Sequence, residues 1–138
     1  MRFMIQVRAT AMSERGDPPG PEFQAVFEEM GAFHEEMARA GVLLDGAGLR
    51  PSRQGWRQRY HLDGRRELLD GPFAEAKELI AGYTLIQVRS VEEARAWAAR
   101  FPNPFPGQVC EIELRQLYEE SDFLPGGDMA VPGVGGPA

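Results

Sequence analysis

His34 and His61 are the only histidines of this chain, and together with a few carboxylates they are the residues best suited to moving a proton near neutral pH. His34 sits inside an otherwise apolar stripe, where a neutral imidazole needs a hydrogen-bond partner. It reads either as a packed histidine bonded to a backbone carbonyl or, paired with Asp45, as half of a proton-transfer dyad. Asp70 also has two readings. It is either a carboxylate held by Arg57 and acting as a general base or ligand contact, or a turn and N-cap residue that organises the corner at Gly71-Pro72. Arg57, Arg59 and His61 alternate as a basic row suited to a carboxylate or phosphate, although an exposed strand face beside Glu67 and Asp70 explains them equally well. Lys77, between Glu75 and Glu78, either orients an acidic ligand or belongs to a solvated helical face. Tyr83 joins Arg57, Arg59, His61 and Lys77 as a candidate ligand contact.

Other chemistries find little support. The histidines and Asp45 show no short ligand spacing such as HxxxH, so no metal is expected. The single cysteine, Cys110, cannot form an internal disulfide and reads as a buried, inert thiol. No nucleophile elbow, P-loop or dinucleotide fingerprint occurs, and no cofactor is expected.

The elements that must position these residues follow from periodicity. Phe3, Ile5 and Val7 alternate with Arg2, Met4, Gln6 and Arg8, which predicts a strand with one apolar face. The breaker run from Gly16 to Pro21 introduces a helix that Gly41 stops. Its stripe runs through Phe23, Phe27, Met30, His34 and Met37, widened by Val26 and Phe33, with Glu28, Glu29, Glu35, Glu36 and Arg39 opposite. A second strand begins at Val42 to Leu44. The segments from Trp56 to Leu62 and from Arg65 to Leu69 flank Asp63-Gly64, which predicts a two-residue hairpin turn. That turn would set His61 across from Arg66, Arg59 across from Leu68, and Arg57 across from Asp70.

A further strand from Gly82 to Val88 precedes a helix with a capping box at Ser90 and Glu93, and Pro102 ends it. The last strand is expected from Gln108 to Leu117, with Cys110, Ile112 and Leu114 on its apolar face. The order is a split βαβ plan: α+β, ferredoxin-like, with two helices on one face of the sheet. The opposite rows hold Met4, Gln6, Tyr83, Leu85, Gln87, Glu111 and Glu113, too mixed for a dry core yet more apolar than a solvated face needs. A half-polar cavity closed by a second subunit is the expectation.

With 138 residues, 43% of them hydrophobic, the chain has the size of one domain, expected at 1–123 and followed by a Gly/Pro-rich tail at 124–138, flexible or an extended arm. The net charge of −6 argues against nucleic acid as a partner. No apolar run approaches the roughly 20 residues needed to span a bilayer, so no membrane association is expected and a cytoplasmic location is inferred.

The run Asp70-Gly71-Pro72-Phe73-Ala74-Glu75-Ala76-Lys77-Glu78 matches the pattern DGPFAETKE everywhere except at Ala76, where that pattern has Thr. With the strand after it, the Ser90-capped helix, the closing Glu111-Ile112-Glu113-Leu114 and the helix exit at Ala40-Gly41-Val42-Leu43, it resembles the DGPF branch of the YCII-related (YciI-like) superfamily over residues 2–123. The resemblance implies a dimeric α+β barrel in which two ferredoxin-like sheets face each other. It also implies cofactor-free, isomerase- or lyase-like proton transfer by a His/Asp pair, as in some relatives, while the mixed second faces and the basic row lead to the expectation that the dimer cavity binds a small anionic or aromatic molecule. In those relatives the helix histidine aligns one turn earlier, near Met30, so His34 departs from their pattern. A second implication is a non-catalytic accessory role beside an extracytoplasmic-function sigma factor, which the tail would contact.

Overall fold

The computed structural model describes residues 1–16 and 20–127. The expected tail arm lies outside these residues from position 128 onward. In chain order the elements are β1 (Arg2–Arg8), α1 (Ala11–Arg15), α2 (Pro21–Arg39), β2 (Leu43–Gly48), β3 (Trp56–Tyr60), β4 (Arg66–Asp70), β5 (Ile80–Gln87), α3 (Val91–Ala99) and β6 (Ile112–Gln116). Four strands form an antiparallel sheet in the order β2-β5-β1-β6, while β3 and β4 form a separate hairpin between β2 and β5. This mixed α+β arrangement is compatible with a ferredoxin-like fold carrying a hairpin insertion.

Alternation decides which face of the sheet is covered. Phe3, Ile5 and Val7 of β1 are buried, as are Gly82, Thr84 and Ile86 of β5, while Met4, Gln6, Tyr83 and Leu85 on the other face are only half-buried. Phe33 and Met37 of α2 and Ala94 of α3 pack on the first face with Phe3, Ile5 and Ile86. The ring of Phe33 meets Trp97 edge-on at a centroid distance of 5.7 Å. Burying side chains such as Ile5, Met37 and Ile86 stabilises the fold by about 1.5–3 kcal/mol each before the entropy of ordering them is counted.

Several expectations need correction. The buried stripe of α2 runs through Val26, Phe33 and Met37, whereas Phe27 is 60% exposed, so the helix is rotated from the stripe read off Phe23 and Phe27. β6 starts at Ile112, and Cys110 precedes it in a loop, half-buried, with its thiol donating to Asn103 Oδ1 at 3.0 Å. Ser90 does cap α3 by accepting from the Glu93 N–H, but the Glu93 carboxylate reaches back to the N–H of Arg89 instead of Ser90. The short helix α1 went unforeseen, although Thr10 and Ser13 form a reciprocal capping box at its start.

The hairpin is out by one residue. Trp56 pairs with Asp70, Arg57 with Leu69, Gln58 with Leu68, Arg59 with Glu67 and Tyr60 with Arg66. The His61 N–H donates to the Arg65 carbonyl, which leaves three residues in the loop, and Gly64 takes a φ of +89°. That is a type I turn closed by a left-handed glycine, which an Asp-Gly pair fits as well as the two-residue turn it suggested. The hairpin is tied down at its root. Glu14 of α1 accepts from the N–H and hydroxyl of Ser52, whose Oγ in turn accepts from the Phe73 N–H at 3.0 Å. Gly71 N–H donates to the Gly55 carbonyl, and a Cβ at Gly71 would collide with the carbonyl of Ser52. The glycine of the DGPF run is therefore required by close backbone approach.

Candidate functional site

The N-terminal half of α2 overhangs a stretch of sheet with almost no side chains. Gly46 and Gly48 of β2 and Gly82 of β5 point toward the helix side of the sheet, where longer residues would fill the gap. A Cβ on Gly82 would stand 2.9 Å from the Ala47 carbonyl oxygen, so that strand pair needs glycine, whereas one on Gly48 would meet nothing nearer than 4.0 Å. The result is a cleft of about 330 Å³ between α2, the glycine floor and the segment after α3. Phe27, Phe101 and Phe105 supply aromatic walls, and no Asp, Glu, Lys or Arg is among the described residues that line it.

At its inner end the cleft holds one polar pair. His34 Nδ1 lies 3.0 Å from the Met30 carbonyl and Nε2 lies 2.8 Å from Thr84 Oγ1. A carbonyl only accepts, so in the neutral ring Nδ1 carries the hydrogen and Nε2 accepts the Thr84 hydroxyl proton. The partner chemistry thus selects a single neutral tautomer. Thr84 is 2% exposed and leaves lone pairs on Oγ1, the acceptors nearest the imidazole. A proton donor reaching Oγ1 could pass its proton on to Nε2 along this pair. The bond from His34 to a backbone carbonyl matches the packed-histidine reading, and the second bond puts the same ring in a cleft.

Asp45 is not beside His34. It lies on the opposite face of the sheet, where one carboxylate oxygen accepts from the Tyr83 hydroxyl at 2.9 Å and the other from the Gly46 N–H at 2.8 Å. The cause is the strand period, because the neighbouring Gly46 takes the helix-facing position of β2 and so turns Asp45 to the other side. The hydrogen bond to Asp45, and then the charge of that carboxylate, hold the Tyr83 phenol above the ordinary tyrosine range.

The basic row and Asp70 do not converge either. Asp70 is exposed at the end of β4 opposite Trp56, and among the described residues no ion pair joins it to Arg57. The Arg57 guanidinium instead lies 3.7 Å from the centroid of the Phe73 ring. Glu67 takes His61 Nε2 at 3.0 Å and approaches Arg59 at 3.9 Å. Lys77 borders a charged hollow of about 370 Å³ at the junction of β1 and β6, shared with Arg8, Glu78, Glu111 and Glu113. Arg8 binds Glu113 there at 2.7 Å.

Thr84 was missed in the sequence, where its only signal is a hydroxyl in the inward row with Gly82 and Ile86. The phenylalanines after α3 and the glycine floor gave no chemical signal at all. Among the described residues no group of three or more His, Cys, Asp or Glu is placed to hold a metal ion, and no helix is long and apolar enough to cross a membrane.

Comparison with known proteins bears on the same stretch of chain. The family model described as the YCII-related domain matches residues 1–118, which include every element from β1 to β6. An uncharacterized protein of Rhizobium meliloti (strain 1021) is 34% identical over 103 residues, covering 74% of this chain and 82% of that protein.

Proposed function

The chain belongs to the YCII-related family, and on that premise we propose that it binds a small molecule in the cleft at His34 and exchanges a proton with it without a cofactor. One observation carries the reading: a single imidazole, held in one tautomer by Met30 and Thr84, closes the inner end of an otherwise apolar cleft. A concave, mostly apolar cleft with few convergent polar groups suits a small ligand. A base that already shares a hydrogen bond with a buried hydroxyl suits proton transfer. The Asp70–Glu78 run supports a place in the DGPF branch, and there the run acts as a structural corner, latched through Ser52 and Glu14.

The test is to fill the cleft from its roomiest point. Gly48→Leu places a side chain where a Cβ meets nothing nearer than 4.0 Å, so folding should be kept. Saturation-transfer NMR with a fragment library should find ligands for the native protein that lose binding in this variant. Ligands retained by the variant, or none for the native protein, would refute the reading.

The second sheet face supports the dimeric barrel. Met4, Gln6 and Leu85 are half-buried on the face opposite the one that α2 and α3 cover. In the proposed cytoplasmic homodimer, this face meets the same face of a second copy about a two-fold axis. Sedimentation at micromolar concentration should give twice the chain mass, and a monomer there would remove the barrel.

A further inference from the structure

Resting on the cleft reading above, we infer that the ligand is an uncharged weak acid, a molecule with a phenol-like or enol-like O–H, and not a carboxylate or phosphate. The lining of the cleft decides this. Among the described residues that form it from β1, α2, β2, β5 and the segment after α3, His34 and Tyr83 are the only titratable ones, and the Tyr83 hydroxyl is turned away to Asp45 on the far side of the sheet. An anion entering this cleft would leave water without meeting a fixed positive charge.

The hydrogen-bond polarity at the inner end points the same way. The Nδ1 hydrogen is committed to the Met30 carbonyl and the Thr84 hydroxyl hydrogen to Nε2, so the neutral pair offers acceptor lone pairs and no free donor. A carboxylate, which only accepts, finds no partner until the ring takes up a proton. A neutral O–H donates to Thr84 Oγ1 directly. Ionisation in place then balances within the cleft: the ligand O–H bond breaks and its proton passes to Thr84 Oγ1. The original hydroxyl proton of Thr84 moves to Nε2, leaving a ligand oxyanion beside an imidazolium. The counter-charge is created by the transfer itself, in a site where a pair of opposite charges interacts strongly.

The experiment compares three ring-matched probes on the native protein at neutral pH, followed by NMR titration of the Gly46 and Gly48 amides: 4-ethylphenol, 4-ethylbenzoate and 4-ethylanisole. The phenol should bind at least tenfold more tightly than the benzoate or the methyl ether. Replacing both acceptors, in Thr84→Val combined with His34→Phe, should bring the phenol and the anisole to the same affinity. Benzoate binding as tight as phenol, or a phenol advantage that survives the loss of both acceptors, would overturn the inference and leave the cleft reading standing. No perturbation by any of the three would overturn both.

Discussion

At the scale of single residues, the Thr84 hydroxyl is the side-chain partner of the His34 ring, on the nitrogen that faces the cleft. Replacing it by Val keeps the shape and leaves Nε2 without its donor. The expected loss is about 1 kcal/mol of stability, since a net hydrogen bond contributes roughly that much, and urea denaturation would measure it. Tyr83 is the second residue with a readable electrostatic signature. Its phenol is held above the ordinary range by the Asp45 carboxylate, so ultraviolet titration should show it ionising later than free tyrosine, and Asp45→Ala should bring it back down. His34 was legible in the sequence because an imidazole interrupts an apolar stripe. The Asp45 dyad failed because a strand turns successive side chains to opposite faces, and a bulge between Leu43 and Asp45 settles which face each takes.

At the scale of elements, the sheet and the hairpin differ in how they are supported. β1 and β5 are flanked by strands on both edges and covered by α2 and α3, whereas Trp56, Tyr60 and Leu68 of the hairpin are each more than 60% exposed. A two-stranded hairpin standing alone is marginal in water, so hydrogen exchange should be fast along β3 and β4 and slow along β1 and β5. Uniform protection across both would contradict this picture. The DGPF corner is where the hairpin is anchored. Gly71→Ala forces a Cβ against the Ser52 carbonyl and should lower stability by about 1–3 kcal/mol, with early protease cleavage between residues 49 and 79. Most of these elements could be read from alternation and caps, but the register could not. Asp63-Gly64 serves a two-residue and a three-residue loop alike, and the choice between them moves every cross-strand partner by one place.

At the scale of the whole molecule, half-buried ion pairs tie β1 to β6 and to the segment after it, and make stability depend on acid. Arg2 binds Glu119 at 2.9 Å and Arg8 binds Glu113 at 2.7 Å, and hydrogen bonding to these guanidinium groups, more than their charge, holds both carboxyls below the usual range. Because the folded state binds these protons less readily, the contribution is complete above about pH 4.3, the ordinary glutamate value. It is lost as pH falls through the lowered folded-state values. Melting temperature should therefore drop more steeply with acid in the native protein than in Glu119→Gln, and parallel curves would refute the assignment. Composition predicts one domain but is silent on the hairpin, and only the three-dimensional pairing shows how that inserted arm is carried. β2 ends and β5 begins as antiparallel neighbours, with the Leu49 N–H bonded to the Ala81 carbonyl, so both ends of the insertion leave the sheet side by side. The arm is thus topologically a plug-in. A short turn joining Leu49 to Ile80 should leave the four-stranded order and the core intact, because the arm enters and leaves the body at a single point.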